Sequence, residues 1–511
     1  MRMTVRILVV AVVLLTPSRA LAATCADLAR AVLPMTTVTS AAVVPAGTFK
    51  PSAGPAATAA VYARLPEFCR VAATLRPSAD SDIKIEVWLP AAQWNGKFQA
   101  IGNGGWAGSI PYPQMAAALA DGYATAGTDT GHTGGTAAFA VGHPEKVVDL
   151  GYRAVHEMAV QAKALINSFY GRAQQFSIWN GCSQGGRQGI TAAVRYPADF
   201  DGVIAGAPAV NWMNLHAGRM AANRAANRSE AATIPPDKYA LVNTAVLAAC
   251  DMNDGVKDGL IENPLSCRFD PKVLQCSGAD AANCLTAAQV ESARSLYAPV
   301  VDPKSGQEIL PGLAPGAELA WATAASARPV NTALEAFKYL VFADPNWNPA
   351  TFNAATDIER TLRADSNDVL NSSSTDLKAF FDRGGKLLMY HGWSDTQVTP
   401  LNSINYFQKV VSRFGPQIAG ASIQLYMVPG MNHCFGGPGT DVFNKVAALE
   451  QWMLAGTAPE RIPASHVTNG ATDRTRPLCP LGRVARWTGS GSTDDATNFA
   501  CVAAPLPVSP R

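Results

Sequence analysis

At 511 residues the chain is too long for one ordinary domain, and its length suits one large catalytic domain that carries an insertion. Its 41 basic and 39 acidic residues leave a formal charge of +2, which excludes the electrostatic footprint of a nucleic-acid binder and points to an uncharged or weakly charged partner. Hydrophobic residues make up 48 % of the chain, enough for a real core, so a disordered chain is excluded as well.

The N-terminus reads MRMTVRILVVAVVLLTPSRALA, with Arg2 and Arg6 ahead of an apolar run from Ile7 to Leu15 and a small-residue site at Ala20-Leu21-Ala22. That is the pattern of an export signal over residues 1–22, with a mature protein beginning near Ala23 and a secreted or periplasmic location. The run is too short to span a bilayer, and no later stretch approaches about 20 uninterrupted apolar residues, so no membrane partner is expected after cleavage. Ten cysteines follow, an even number suited to an oxidising compartment. Sequence neighbours suggest the pairs Cys25 with Cys69, Cys250 with Cys267, Cys276 with Cys284, and Cys479 with Cys501; Cys182 and Cys434 remain. No CxxC pair occurs, which argues against a thiolate metal site.

From Ile83, short apolar runs end in glycine-rich turns: IKIEVWLP, KFQAIGNGGWAG and GYATAGTDTGHTG, each the pattern of a strand and its loop. DLGYRAVHEMAVQAKALINSFY has helical spacing, with Val155, Met158, Ala159 and Ala162 on one face. The strand FSIWN follows. This alternation predicts parallel strands with helices on both faces, the α/β class. After Asn211 the texture turns rich in Ala, Asn, Pro and Cys, without regular alternation until about Phe380. Strand-like sequence resumes at GKLLMYHGWSD and SIQLYMVPGMNHC. The expected organisation is an α/β-hydrolase fold with a large inserted lid: core residues 23–210, lid 211–379, and core again over 380–511.

Gly181-Cys182-Ser183-Gln184-Gly185 fits G-x-S-x-G, the sharp strand-to-helix turn that exposes a serine at the edge of such a sheet. A serine hydroxyl needs a base to take its proton, and the base needs a carboxylate to hold its tautomer. In the expected order Ser, Asp, His, the candidates are Asp395, closing LLMYHGWSD, and His433, in the loop PGMNHC. His391 competes with His433 but precedes the proposed acid and fits the order less well. His132, His143, His156, His216 and His466 are read as structural or surface residues. Cys182 precedes the serine and Cys434 follows the histidine, so a bond between them would tie the two catalytic loops together.

On these residues the chain resembles the tannase and feruloyl esterase family, which carries a Cys-Ser…Asp…His-Cys arrangement matched here by Cys182-Ser183, Asp395 and His433-Cys434. The likeness extends over essentially all of the mature chain, and the five pairings above agree with the family's pattern. Gly102-Asn103-Gly104-Gly105-Trp106 lies at the end of an earlier strand, and the resemblance favours this loop for an oxyanion hole: Gly105, or its neighbour Gly104, donating with the N–H of Gln184. In CDMNDGVKDGLIENP, Asp251, Asp254 and Asp258 supply hard oxygen ligands at close spacing. It is not an EF-hand, because Val256 stands where that loop requires glycine. The resemblance implies structural calcium there, with the carbonyls of Val256 and Leu260 completing the set, in the lid and away from the triad. No organic cofactor is expected.

The resemblance further implies a secreted serine esterase that cleaves aromatic acid esters through an acyl-enzyme. The leading substrates are feruloyl or related hydroxycinnamoyl groups on plant cell-wall sugars or small alcohols; galloyl esters and mono(2-hydroxyethyl) terephthalate are the alternatives. Phe337, Tyr339 and Phe342 are candidates for contact with the ring, and helix core is the more expected place for them. A serine peptidase and a catalytically silent binding protein on the same scaffold are the readings from other classes.

Overall fold

The structure is a computed structural model and describes residues 22–51 and 59–504. Apart from Ala22, the export-signal segment lies outside the described residues. A nine-stranded sheet organises the chain. Its strands are β1 (Thr36–Val44), β2 (Phe68–Leu75), β3 (Ile83–Pro90), β4 (Phe98–Ile101), β5 (Ala124–Thr128), β6 (Ser177–Cys182), β7 (Gly202–Gly206), β8 (Lys386–Gly392) and β9 (Ile423–Val428). They lie in the order β1-β2-β3-β5-β4-β6-β7-β8-β9.

From β5 to β9 every pairing is parallel. The strands β4, β5 and β7 are buried along their whole lengths, as expected for parallel strands covered by helices on both faces. The helices α1 (Tyr112–Ala120), α2 (Ala154–Tyr170) and α3 (Gln184–Arg195) lie between these strands in sequence, and Val155, Met158, Ala159 and Ala162 of α2 are all buried. This is an α/β-hydrolase fold. Parallel order does not extend to the whole sheet: β3 runs antiparallel to β5, and β1 and β2 add two further antiparallel strands. The connection between β2 and β3 explains part of this, since residues 76–82 are too few for the crossover that a parallel neighbour requires.

Between β7 and β8, adjacent and parallel in the sheet, residues 207–385 run outside it. This stretch holds helices despite its irregular sequence texture, among them α4 (Trp212–Ala226) and the segments Tyr239–Cys250 and Ala287–Tyr297. Its aromatic group is core: Phe337 is fully buried against Trp347 and Phe352. All five expected disulfides are present, Cys25–Cys69, Cys182–Cys434, Cys250–Cys267, Cys276–Cys284 and Cys479–Cys501.

Candidate functional site

β6 ends in the quoted turn, and Ser183 stands between strand and helix with φ 63° and ψ −123°, a conformation costly for a residue with a side chain. Its backbone over-determines that state: Ser183 N–H donates to the Gly206 carbonyl, while the Ser183 carbonyl accepts from Arg187 and Ala209. The turn tolerates no side chain at either of its glycines. A Cβ on Gly181 would come within 2.4 Å of the Gly185 carbonyl oxygen, and one on Gly185 within 2.9 Å of the Asn103 carbonyl oxygen.

The second contact brings in the Gly102–Trp106 loop. Gln188 of α3 accepts the Asn103 N–H at 3.0 Å and donates to the Asn103 side-chain oxygen at 3.2 Å, locking the loop to the helix that begins beside Ser183. Gly104, Gly105, Ser183 and Gln184 all line one cavity of about 770 Å³. Gly105 has φ +52°, and Gln184 opens α3, where backbone N–H groups have no partner within the helix. Gly105 and Gln184, the two residues expected to donate, thus both border the cavity.

Two more loops reach the same cavity from the ends of β8 and β9. His433 lines it, and its Nδ1 lies 2.6 Å from Asp395 Oδ2. Asp395 is wholly buried. Its Oδ1 accepts the N–H groups of Gln397 at 2.7 Å and Val398 at 2.9 Å. Burial alone would raise this carboxyl; the adjacent His433 and the hydrogen bonds from His391 and His433 outweigh it and hold the group well below the usual carboxylate range. An imidazole gripped in this way presents its other nitrogen as a base in a fixed orientation, suited to taking a proton from a hydroxyl.

Sequence reasoning assigned no role here to His391, yet His391 Nε2 lies 3.0 Å from the same Asp395 Oδ2 and 2.8 Å from the Val398 carbonyl oxygen, with Nδ1 2.8 Å from Ser403 Oγ. Its four-residue spacing from Asp395 was the available signal. The other histidines bond elsewhere: His132 to the Trp106 carbonyl, His143 to Asp80, His156 to Asp199 and His466 to Asp473. His216 is fully buried beside Trp106 and Trp212.

The Cys182–Cys434 disulfide joins residues 252 apart, one beside Ser183 and the other beside His433, with Cα atoms 6.0 Å apart. Residues 312–323, from the stretch outside the sheet, also stitch onto the Asp395 loop. Ser394 donates to the Gly316 carbonyl, Thr396 to that of Ala320 and Thr399 to that of Gly312.

In the acidic loop, Asp251 accepts the N–H groups of Asp258 and Gly259, Asp254 that of Val256, and Asp258 that of Leu260. Asp258 also pairs with Arg476 at 2.5 Å. Burial, with a smaller contribution from the neighbouring Asp258 and Asp251, pushes Asp254 up to about 6. Among the described residues no three His, Cys, Asp or Glu side chains converge as a metal cage. A hard cation here would need Asp251, Asp254 and Asp258 to draw together around it, with backbone oxygens such as those of Val256 and Leu260 completing the set. The loop is not remote from the catalytic segments. Leu260 packs on Gly430, its Cδ2 2.5 Å from where a Cβ there would stand, and Gly430 lies three residues before His433.

The model of a family described as "Tannase and feruloyl esterase" matches residues 69–502. An uncharacterised esterase of Xanthomonas campestris is 39 % identical, over 99 % of this chain and 95 % of its own. Feruloyl esterase C of Talaromyces stipitatus is 34 % identical over 86 % of each chain. The crystal structure of feruloyl esterase B from Aspergillus oryzae superposes with a TM-score of 0.86 at 30 % identity, covering 94 % of this chain and 99 % of that one.

Proposed function

The chain belongs to the tannase and feruloyl esterase family, carboxylic ester hydrolases, and from that premise we propose that it is an exported serine esterase in which Ser183, His433 and Asp395 cleave aromatic carboxylic esters. The observation that carries this reading is the junction of three loops at one cavity: Ser183 on its strained turn, His433 held by a buried carboxylate, and a disulfide between the residues next to them.

In the proposed reaction Ser183 Oγ attacks the ester carbonyl carbon as His433 Nε2 takes its proton. The carbonyl oxygen becomes an oxyanion facing the N–H groups of Gly105 and Gln184, which stabilise the charge as it develops. Collapse breaks the bond to the alcohol oxygen, and the proton on His433 passes to the leaving alcohol. Water then attacks the acyl-serine with His433 again as base; the acid departs and Ser183 regains its proton. Asp395 keeps Nδ1 of His433 as the donor and offsets the imidazolium charge without itself taking a proton.

Hydroxycinnamoyl esters lead as substrates, because the relatives from Talaromyces and Aspergillus are named as feruloyl esterases; galloyl esters and terephthalate monoesters follow. Export is supported by five disulfides, and among the described residues no helix is long and apolar enough to cross a membrane. Calcium bound by Asp251, Asp254 and Asp258 with the carbonyls of Val256 and Leu260 is part of the proposal, supported by the acidic neighbours of Asp254; the ion would neutralise their charge and stiffen the loop.

Initial rates on methyl ferulate, methyl gallate, mono(2-hydroxyethyl) terephthalate and a short-chain nitrophenyl ester test the reading. We expect turnover with a preference for ferulate, and a fall in kcat of about 10⁶ in Ser183→Ala with its melting temperature preserved. Full esterase activity in that variant would overturn the assignment, and a peptide panel separates the peptidase reading.

A further inference from the structure

Two arginines near the cavity, Arg187 wholly buried and Arg219 half-buried, are treated differently. Arg187 of α3 has its guanidinium engaged by four oxygens: Gln184 Oε1 at 2.6 Å, Ser372 Oγ at 3.0 Å, and the carbonyls of Gly151 at 3.1 Å and Leu150 at 3.3 Å. This is how the protein satisfies an arginine that serves packing.

Arg219 of α4 lines the cavity, as do Trp212 and Leu215, at the spacing that puts three side chains on one helix face. It has five donors, and among the described residues it makes one hydrogen bond, Nη1 to Thr332 Oγ1 at 3.0 Å. Its Nε is buried without a partner. Burial draws the half-buried guanidinium down to about 10, so it stays charged at neutral pH. The field of Asp395 reaches Arg219, but Asp395 takes its hydrogen bonds from His433, His391 and two backbone N–H groups. Three residues before Arg219, His216 is buried with neither ring nitrogen partnered, and burial drives it well below its ordinary value, so it stays neutral and adds no second positive charge.

A guanidinium whose Nε is shut off from water without a partner is costly unless something meets it. What fits its planar fork is a carboxylate, accepted through two parallel N–H···O bonds. Trp212, on the same helix face, also borders the cavity, its ring stacked on Trp106.

We propose that Arg219, with Thr332 beside it, forms a carboxylate-binding subsite of the catalytic cavity, so that the preferred substrates are aromatic esters carrying a free carboxylate. This rests on the esterase reading above. It goes beyond it by naming a charge that methyl ferulate and methyl gallate lack. The carboxylate can belong to the acyl part, as in the half-ester of an aromatic diacid, or to the alcohol part, as in a feruloyl ester of a hydroxy acid.

Steady-state kinetics of the full chain on two matched pairs test the subsite and separate the sources. One pair is the monomethyl and dimethyl esters of benzene-1,4-dicarboxylic acid. The other is feruloyl glycolate and its methyl ester, followed by ferulate release. In the wild type we expect kcat/KM to favour the charged member of one pair about tenfold or more, through KM, and the advantage to shrink as salt is added. The pair that shows it identifies the side of the ester that Arg219 reads. In Arg219→Gln the ratio should fall about tenfold or more, and Arg219→Lys, which keeps the charge but loses the fork, should keep part of it. Equal kcat/KM for the members of both pairs in the wild type would overturn the subsite while leaving the esterase reading intact. A preference that survives in either variant at full strength would also overturn it, and Arg219→Lys supplies that readout should Arg219→Gln not fold. Failure of the esterase reading looks different: no ester in either pair, nor methyl ferulate, would be turned over.

Discussion

On the wall of the cavity built by the loops after β8 and β9, the carboxylate of Asp395 accepts from two histidines and two backbone N–H groups. On the wall built by α4, Arg219 uses one donor of its guanidinium and His216 neither of its nitrogens. Asp395 and His216 are wholly buried and the Nε of Arg219 is shut off from water, so a desolvation penalty applies on each wall, and only the first has its compensation built in. Groups that must hold a reaction geometry are saturated by the protein before substrate arrives, because unmet bonds would let them wander. Groups that read a substrate keep donors in reserve, and the substrate completes them.

Four experiments would break or sharpen this contrast. The largest effect is expected from Asp395→Asn, which preserves shape but removes the charge and favours the wrong imidazole tautomer: kcat should fall about 10⁴-fold. The same variant carries a pH test. The folded value of Asp395 is depressed, so its ionised form contributes stability that is present above the ordinary carboxylate value and lost as pH falls toward the depressed one. The difference in melting temperature between wild type and variant should therefore persist from neutral pH down and narrow only below about pH 4.

Replacing Cys182 and Cys434 together by serine removes a closure of 252 residues. A loss of about 2–5 kcal/mol in denaturant titration is expected, with a fall in kcat that exceeds any change in KM, because Ser183 and His433 are no longer tethered. A smaller effect should follow from His391→Phe. One of the four bonds to Asp395 disappears, its charge becomes more basic, and His433 is more easily protonated. About a tenfold loss in kcat is expected, with the acid limb of the kcat/KM profile moving to higher pH and His391→Gln recovering part of the rate. A purely structural role for His391 would lower the melting temperature and leave that limb in place.

Chelation should do least to the chemistry. Removing calcium with EDTA is expected to lower the melting temperature by several degrees, with kcat at 25 °C within about twofold, as stabilisation by a ligand of the folded state predicts. An unchanged melting temperature would refute a metal at Asp251, Asp254 and Asp258. A large loss of kcat would instead mean that the packing of Leu260 on Gly430 transmits the state of the loop to His433.

What could be read from the chain by itself is what local chemistry enforces. The turn around Ser183 needs glycines wherever backbones nearly touch, so Gly181 and Gly185 mark it in any context. Parallel strands buried on both faces appear as short apolar runs, which made β4, β6, β8 and β9 visible. The five disulfides were legible because oxidised cysteines come in pairs and their neighbours are close in sequence, or flank residues expected to meet. Tertiary structure alone decided the rest. β1, with its mostly exposed edge pattern, has no buried run to announce it, and the direction of β3 depends on the length of a connection and on which neighbour it meets. His391 looked like a rival to His433 and turned out to share its carboxylate, since a shared acceptor is a relation among three side chains that no spacing specifies. Arg219 sits in an Ala- and Asn-rich helix like any surface arginine; only the fold shows that it borders the cavity with its Nε buried and unmet, because burial and unmet donors are properties of everything packed around a residue and not of its neighbours along the chain.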